Sequence, residues 1–197
     1  MSASSPEERA EAGLLLDVTE LTKSFRGVAA LVNGRFALRP GSVHALCGGN
    51  GAGKSTFLSI IMGIHQRDGG VVRLRGQEVD FANPAEALAA GISIIEQELS
   101  PVSGLTVAEN IFLGREPLTR FGTVDFATMN RRAKALLDEL GFELAPQTSM
   151  GNLSVAQIQL VEIAKALGRD AEIIIMDEPT AAVGVAEADH LFAVIRR

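Results

Sequence analysis

The sequence has no tryptophan and no tyrosine, so any aromatic stacking on a ligand falls to its nine phenylalanines. A single cysteine, Cys47, excludes an intrachain disulfide and fits a reducing compartment. Clustered positive charge is also lacking. Lys plus Arg number 18 against 24 Asp plus Glu, a net charge of −6, which argues against a broad nucleic-acid footprint. A single nucleotide is not excluded, because a few backbone amides and one lysine suffice to hold it. No apolar run approaches the ~20 residues that span a bilayer. The polar, acidic stretch from Met1 to Ala12 lacks the basic start and apolar stretch of a secretion signal. Any membrane role would come through a partner.

What is present is a globular composition: 197 residues, 47% hydrophobic and 21% charged, enough for one compact domain with a large core. Residues 1–13 read as a loose tail. Leu14 to Leu21 reads as a strand. Phe36 to Leu38 and Val43 to Cys47 flank a Pro40-Gly41-Ser42 turn and read as two strands joined by a short loop. A glycine-rich stretch, Gly48 to Gly53, then opens a helix running to about Ile64. Gly69-Gly70 and Gly76 punctuate a further short β region. Asn83-Pro84 opens a helix that Gly91 stops. Ile92 to Ile95 reads as a strand, Val107 to Leu113 and Met129 to Leu140 as helices. Ser154 is read as the cap of a helix to Leu167, and Ala186 to Arg197 reads as the last helix. Ile173 to Met176, wholly apolar, reads as a buried strand of a parallel sheet. Strands alternating with helices predict an α/β fold with a mostly helical insert between Val107 and Ser154.

Two stretches carry chemistry. Gly48-Gly49-Asn50-Gly51-Ala52-Gly53-Lys54-Ser55-Thr56 fits G-x-x-x-x-G-K-[ST] between a predicted strand and a predicted helix. Glycines let the backbone wrap closely, so that successive N–H groups aim at phosphate oxygens. The helix adds the positive end of its dipole. Lys54 reaches the β- and γ-phosphates, and the Ser55 hydroxyl suits Mg²⁺. The second stretch is the apolar run ending in Asp177-Glu178-Pro179-Thr180. In a P-loop ATPase, Asp177 would support the Mg²⁺ shell and Glu178 would polarise the attacking water as a general base.

Three more segments complete a resemblance to ABC-type ATPases that runs from about Leu14 to Arg197. Ile94-Ile95-Glu96-Gln97-Glu98-Leu99 resembles the family's glutamine loop, which implies that Gln97 touches Mg²⁺ and the attacking water and relays nucleotide state to a transporter. Leu153-Ser154-Val155-Ala156-Gln157 resembles the family signature, usually Leu-Ser-Gly-Gly-Gln, which closes over ATP held by the opposite domain of a dimer. Asp177 to Thr180 is the family's form of the acidic strand. Phe25, in Lys23-Ser24-Phe25-Arg26-Gly27-Val28, matches the aromatic that stacks on adenine. Leu105 to Glu116 and Val161 to Leu167 further resemble the sugar-importer type, in which one polypeptide carries two such domains.

The resemblance implies a P-loop core with a parallel sheet, an N-terminal antiparallel β region and a helical subdomain over about 100–168, within a partial nucleotide-binding domain over 14–197 whose final strands are missing. It implies ATP and Mg²⁺ as ligands, and as partners a second nucleotide-binding domain and permease subunits, with an extracytoplasmic sugar-binding protein beyond them. It places the chain at the cytoplasmic face of the cell membrane. The family's γ-phosphate histidine, about two dozen residues past the acidic strand, has no counterpart in His44, His65 or His190. The strand carrying it would lie between the strand before Gly48 and the strand ending at Met176, so an unstable chain without turnover is expected.

Other departures are smaller. Gly49 stands where the sugar type usually has Glu, with little effect expected on phosphate. Ala156 replaces the second signature glycine, where the resemblance implies a methyl group that would crowd the partner's γ-phosphate but that sugar-type members tolerate. Two readings compete with a transport ATPase: a non-transport ABC ATPase acting on DNA or ribosomes, and a nucleotide-binding fragment without turnover. Between Gln97 and Leu153 there are neither coiled-coil heptads nor a basic patch. A GTPase is disfavoured because no Asn-Lys-x-Asp segment occurs. His44 and His65 read as structural, and Cys47 as a small buried hydrophobe.

Overall fold

The structure, a computed structural model, describes residues 13–95, 101–169, 171–177 and 192–196. The chain divides into two compact units, Met1–Ala90 and Gly91–Arg197.

The first unit is an antiparallel sheet with helices. Strand β1 (Leu16–Phe25) lies between β2 (Val28–Leu38) and β3 (Gly69–Leu74), and β4 (Gln77–Glu78) completes the order β2-β1-β3-β4. Leu16, Val18 and Leu21 of β1 are buried. The step from Val18 to Leu21 is three residues rather than two, and a register irregularity accounts for it: Glu20 sits at φ 54° where the pairing to β2 shifts. Such a bulge inserts a residue and keeps the apolar side chains on one face. Gly70 lies opposite, at φ +88°, and a Cβ there would come within 2.5 Å of the Glu20 carbonyl oxygen. Only glycine fits that approach.

Strands β1 and β2 meet in a two-residue hairpin, Arg26 at φ 50° and Gly27 at φ 82°, the twist-matched turn of short hairpins. Helix α1 (Lys54–Ile61) buries Phe57, Ile60 and Ile61, and the Phe57 ring meets Phe36 of β2 edge to face at 5.6 Å. Helix α2 (Pro84–Ala89) starts as expected, with the Asn83 side chain accepting from the Glu86 amide at 3.1 Å.

One expectation is overturned here. Val43 to Cys47, apolar and β-prone, forms no strand: among the described residues it has no ladder partner. Val43 is 75% and Leu46 42% exposed, and Cys47 is exposed rather than buried. A β-prone run becomes a strand only when a neighbour takes up its backbone groups.

The second unit holds the parallel pair β5 (Ile92–Ile95) and β6 (Ile173–Met176), in register from Ile92 against Ile173 to Ile95 against Met176. Helices α3 (Val107–Phe112), α4 (Phe126–Leu140) and α5 (Val155–Leu167) share one apolar core with Ile95, in which Ile111, Met129, Leu137 and Ile163 are fully buried. Residues 192–196 are helical, and Val194 and Ile195 pack on that core. Helix α4 begins earlier than its apolar spacing predicts, because Asp125 accepts from the Thr128 amide at 2.9 Å and caps it. It ends at Gly141, in the left-handed region. Two polar side chains tie the unit together. Asn110, fully buried, accepts from the Val102 amide and donates to the carbonyls of Val102 and Thr106. The Arg115 guanidinium donates to the carbonyls of Gly168, Ile111 and Lys165, joining the C-terminal ends of α3 and α5.

Candidate functional site

The glycine-rich stretch forms a loop that ends in the first turn of α1. Gly51 and Gly53 both lie in the left-handed region, at φ 80° and 83°. Gly53 is the N-cap of α1, and a Cβ on it would lie 2.8 Å from the Ala30 carbonyl oxygen and 3.1 Å from Leu31 Cδ1. The loop therefore turns tightly against β2, and glycine at this position is a steric requirement. Gly49 is different: a Cβ there meets nothing within 4 Å, so a side chain in its place points into open space. Gly48 to Ala52 are exposed, and Ala52 donates to the Gly49 carbonyl at 3.2 Å.

The start of α1 is electrostatically open. The first N–H groups of a helix have no intrahelical acceptor. Asn83, Thr106, Asp125 and Ser154 supply a side-chain acceptor to α2, α3, α4 and α5. Gly53 supplies none, and the first turn of α1 carries no acidic residue. Its amides and dipole thus keep their positive potential for an anion. Lys54 adds a cation at the same place. Its Nζ donates to the carbonyls of Gly48 at 2.7 Å and Gly49 at 3.1 Å, which fixes the ammonium over the loop. Ser55 is exposed on the first turn, and Thr56 is half-buried beside it. A cavity of about 140 Å³ adjoins the loop, lined by Leu31, Phe36, Leu46, Cys47, Lys54 and Phe57 among others.

Phe25 ends β1 beside the hairpin and is 39% exposed. Its ring meets the His65 ring edge to face at 5.0 Å, and the Lys23 ammonium lies 5.5 Å from its centre. Lys23 also pairs with Asp68 at 2.8 Å, and the Ser24 amide donates to the same carboxylate at 2.7 Å. These bonds, Lys23 first and Ser24 second, hold the Asp68 carboxyl below its ordinary range.

In the second unit, Asp177 follows β6 directly, and its amide donates to the Ile95 carbonyl at 3.0 Å. It sits at the carboxyl ends of two parallel strands, the usual edge for ligands in such sheets. The signature-like segment starts α5. The Ser154 hydroxyl accepts from the Gln157 amide at 3.2 Å, and the Gln157 side chain accepts from the Ser154 amide at 3.0 Å, a complete capping box. Leu153 and Ala156 are half-buried, while Ser154 and Val155 are exposed. Gln97 and Glu178 lie outside the described residues. Among the described residues no group of three or more His, Cys, Asp and Glu side chains is arranged to hold a metal.

The family model of the ABC transporter domain matches residues 31–181. The chain belongs to the ABC transporter family. It is 49% identical over 191 residues to a Pseudomonas fluorescens protein named for ribose, galactose and methyl galactoside import as its ATP-binding protein, covering 97% of this chain and 37% of that relative. A Rhizobium etli protein named for the same import is 50% identical over 93% of this chain and 36% of its own length. The chain thus spans little more than a third of the curated relatives it matches. Among solved structures, a nucleotide-free ATP-binding cassette of an ABC transporter superposes with a TM-score of 0.79 at 28% identity, covering 93% of this chain and 76% of that one. An ATP-binding cassette in its ADP conformation gives 0.79 at 29% identity with the same coverage. An α/β P-loop core with an N-terminal antiparallel sheet, a parallel pair and helices is what the ABC cassettes share with this chain.

Sequence reasoning passed over Asn110 as a locking residue and His65 as the neighbour of Phe25. Asn110 carried a signal, a polar residue at an otherwise apolar helix face. His65 carried none, since its contact is with a distant stretch of chain.

Proposed function

We propose that this chain is the nucleotide-binding part of an ATPase that drives import of a sugar through a membrane permease. The observation that carries the reading is the loop from Gly48 to Thr56, a tight glycine turn feeding an uncapped helix with a lysine over it. Gly48, Gly49, Asn50, Gly51, Ala52 and Gly53 would wrap the triphosphate of ATP with backbone amides, and Lys54 and Thr56 would hold its terminal oxygens. Phe25 would stack on adenine. Glu178 would accept a proton from the attacking water, with Gln97 orienting it. Ser55, Gln97 and Asp177 would supply hard oxygen donors of the kind Mg²⁺ takes, and the cation would neutralise phosphate charge.

Leu153, Ser154, Val155, Ala156 and Gln157 would close over ATP held by a second nucleotide-binding domain. The helices over about 100–168 would act as the helical subdomain that meets the permease, and the chain would then lie peripherally at the cytoplasmic face of the cell membrane. Among the described residues no helix is long and apolar enough to cross a membrane. The permease would be a partner, served by an extracytoplasmic sugar-binding protein. The names of the relatives support ribose or galactose as cargo.

Calorimetric titration of ATP tests the site. Lys54→Ala should weaken ATP by about tenfold or more, the ~1.5–3 kcal/mol of a charge-assisted hydrogen bond. In the full-length transporter, Glu178→Gln should keep ATP binding and stop turnover. Unaltered ATP affinity in the Lys54 variant would remove the basis for the reading.

A further inference from the structure

We infer that His65 is a positioning residue for the base of the nucleotide, fixing the Phe25 ring from the end of the same helix that begins at the phosphate loop. The inference rests on the reading of Phe25 as the base platform.

Phe25 closes a strand beside a two-residue hairpin, where local structure alone leaves the ring's direction loose. At 39% exposure the ring is too open to be set by core packing. Two groups on the described chain fix it instead. The His65 ring meets it at 5.0 Å with planes 69° apart, and the Lys23 ammonium lies 5.5 Å from its centre. An edge-to-face pair prefers this separation and angle, so it sets orientation as well as contact.

The His65 side chain is exposed, and its backbone is held at the end of α1. The chain leaves α1 through Gly63 at φ 69°, and the amides of Ile64 and His65 both donate to the Ser59 carbonyl, at 2.8 and 3.2 Å. Both bonds go to a single carbonyl in the last turn of the helix whose first residue is Lys54. The Lys23 side is anchored too, through Asp68, whose carboxylate binds both the Lys23 ammonium and the Ser24 amide. Asp68 in turn donates its own amide to the Thr22 carbonyl at 2.9 Å, so the segment after α1 runs along the end of β1. The phosphate loop and the Phe25 ring are therefore linked through one short rigid helix and its terminal turn. A stacked base needs the ring plane fixed relative to the triphosphate, because a misdirected ring loses overlap while still touching the base.

The experiment measures binding of Mg–ATP and of inorganic triphosphate to the intact polypeptide for wild type, His65→Ala, His65→Phe and Phe25→Ala. Expected is a three- to tenfold loss of ATP affinity in His65→Ala with triphosphate affinity unchanged, and recovery in His65→Phe, which keeps an edge-on ring. Phe25→Ala should lose at least as much, again for ATP only. Equal losses of ATP and triphosphate in His65→Ala would mean a general structural role and overturn the inference. So would unchanged ATP affinity in His65→Ala beside a clear loss in Phe25→Ala. If Phe25→Ala also leaves ATP binding intact, the base platform itself is misassigned and the inference falls with it.

Discussion

Gly53→Ala and Gly49→Ala make a matched pair within one loop. Both add a single methyl group, and their surroundings are opposite. At Gly53 the backbone is at φ +83° and the new Cβ would lie 2.8 Å from the Ala30 carbonyl oxygen. Holding a non-glycine residue in the left-handed region costs about 1–2 kcal/mol. Forcing an atom into a backbone contact that tight adds about 1–3 kcal/mol, because β2 is fixed by its ladder and relaxes little. Together the cost is roughly 2–4 kcal/mol once partial relaxation is allowed. If the loop keeps its shape, the cost appears in the melting temperature, at roughly 2–4 °C per kcal/mol for a chain of this size. If the loop shifts to relieve the strain, the cost appears as lost ATP affinity instead. At Gly49 no atom lies within 4 Å and φ is not in the left-handed region, so the change should stay within about 0.5 kcal/mol. Thermal unfolding and ATP titration on both variants decide it. A Gly53→Ala protein that melts and binds as the Gly49→Ala protein does would refute the steric argument for the loop.

Three further outcomes are expected. Asn110→Ala strips three hydrogen bonds from a fully buried site and leaves the Val102 amide unmatched; unfolding by denaturant should show a loss of about 2–4 kcal/mol, and a loss below half a kcal/mol would contradict the locking role. Ser154→Ala removes the cap of α5 at a cost of about 1 kcal/mol, whereas Ser154→Asp keeps an acceptor and should restore stability. In the full-length protein turnover should nevertheless fall in Ser154→Asp, because the added charge repels the partner-held phosphate, and full turnover there would contradict the signature assignment. Last, the Thr106 amide and hydroxyl together hold the Glu109 carboxyl below its ordinary value of 4.5. A depressed carboxyl contributes stability above its unfolded value that is lost as pH falls through its folded one, so the loss should begin below about pH 4.5. Glu109→Gln keeps the capping geometry and should flatten that acid-side slope; an unchanged slope would exclude Glu109 as a source of it.

Sequence alone determined the parts of this protein that depend on neighbouring residues. The start of α2 at Asn83-Pro84 and the cap of α5 at Ser154 follow from side chains satisfying backbone groups within one turn. The loop from Gly48 to Thr56 was legible for the same reason, since its glycines answer to local dihedral angles. Ile173 to Met176 stood out as a strand of a parallel sheet because four apolar residues in a row have no solvent face, and it pairs in parallel with β5, although only Ile173 is buried and the other three are half-buried.

Tertiary structure decided what depends on distant chain. The strand β1 runs to Phe25 rather than stopping at Leu21, because the hairpin at Arg26-Gly27 returns β2 alongside it. Val43 to Cys47 has the composition of a strand, yet backbone pairing is a property of two segments, and no second segment takes it up among the described residues. The register of Ile92 to Ile95 against Ile173 to Met176, and the meeting of Phe25 with His65, join residues far apart in sequence. No local periodicity encodes such contacts; they arise only when burial brings whole elements together, and that is where Phe25 gains a fixed ring and Asp177 its place beside the end of β5.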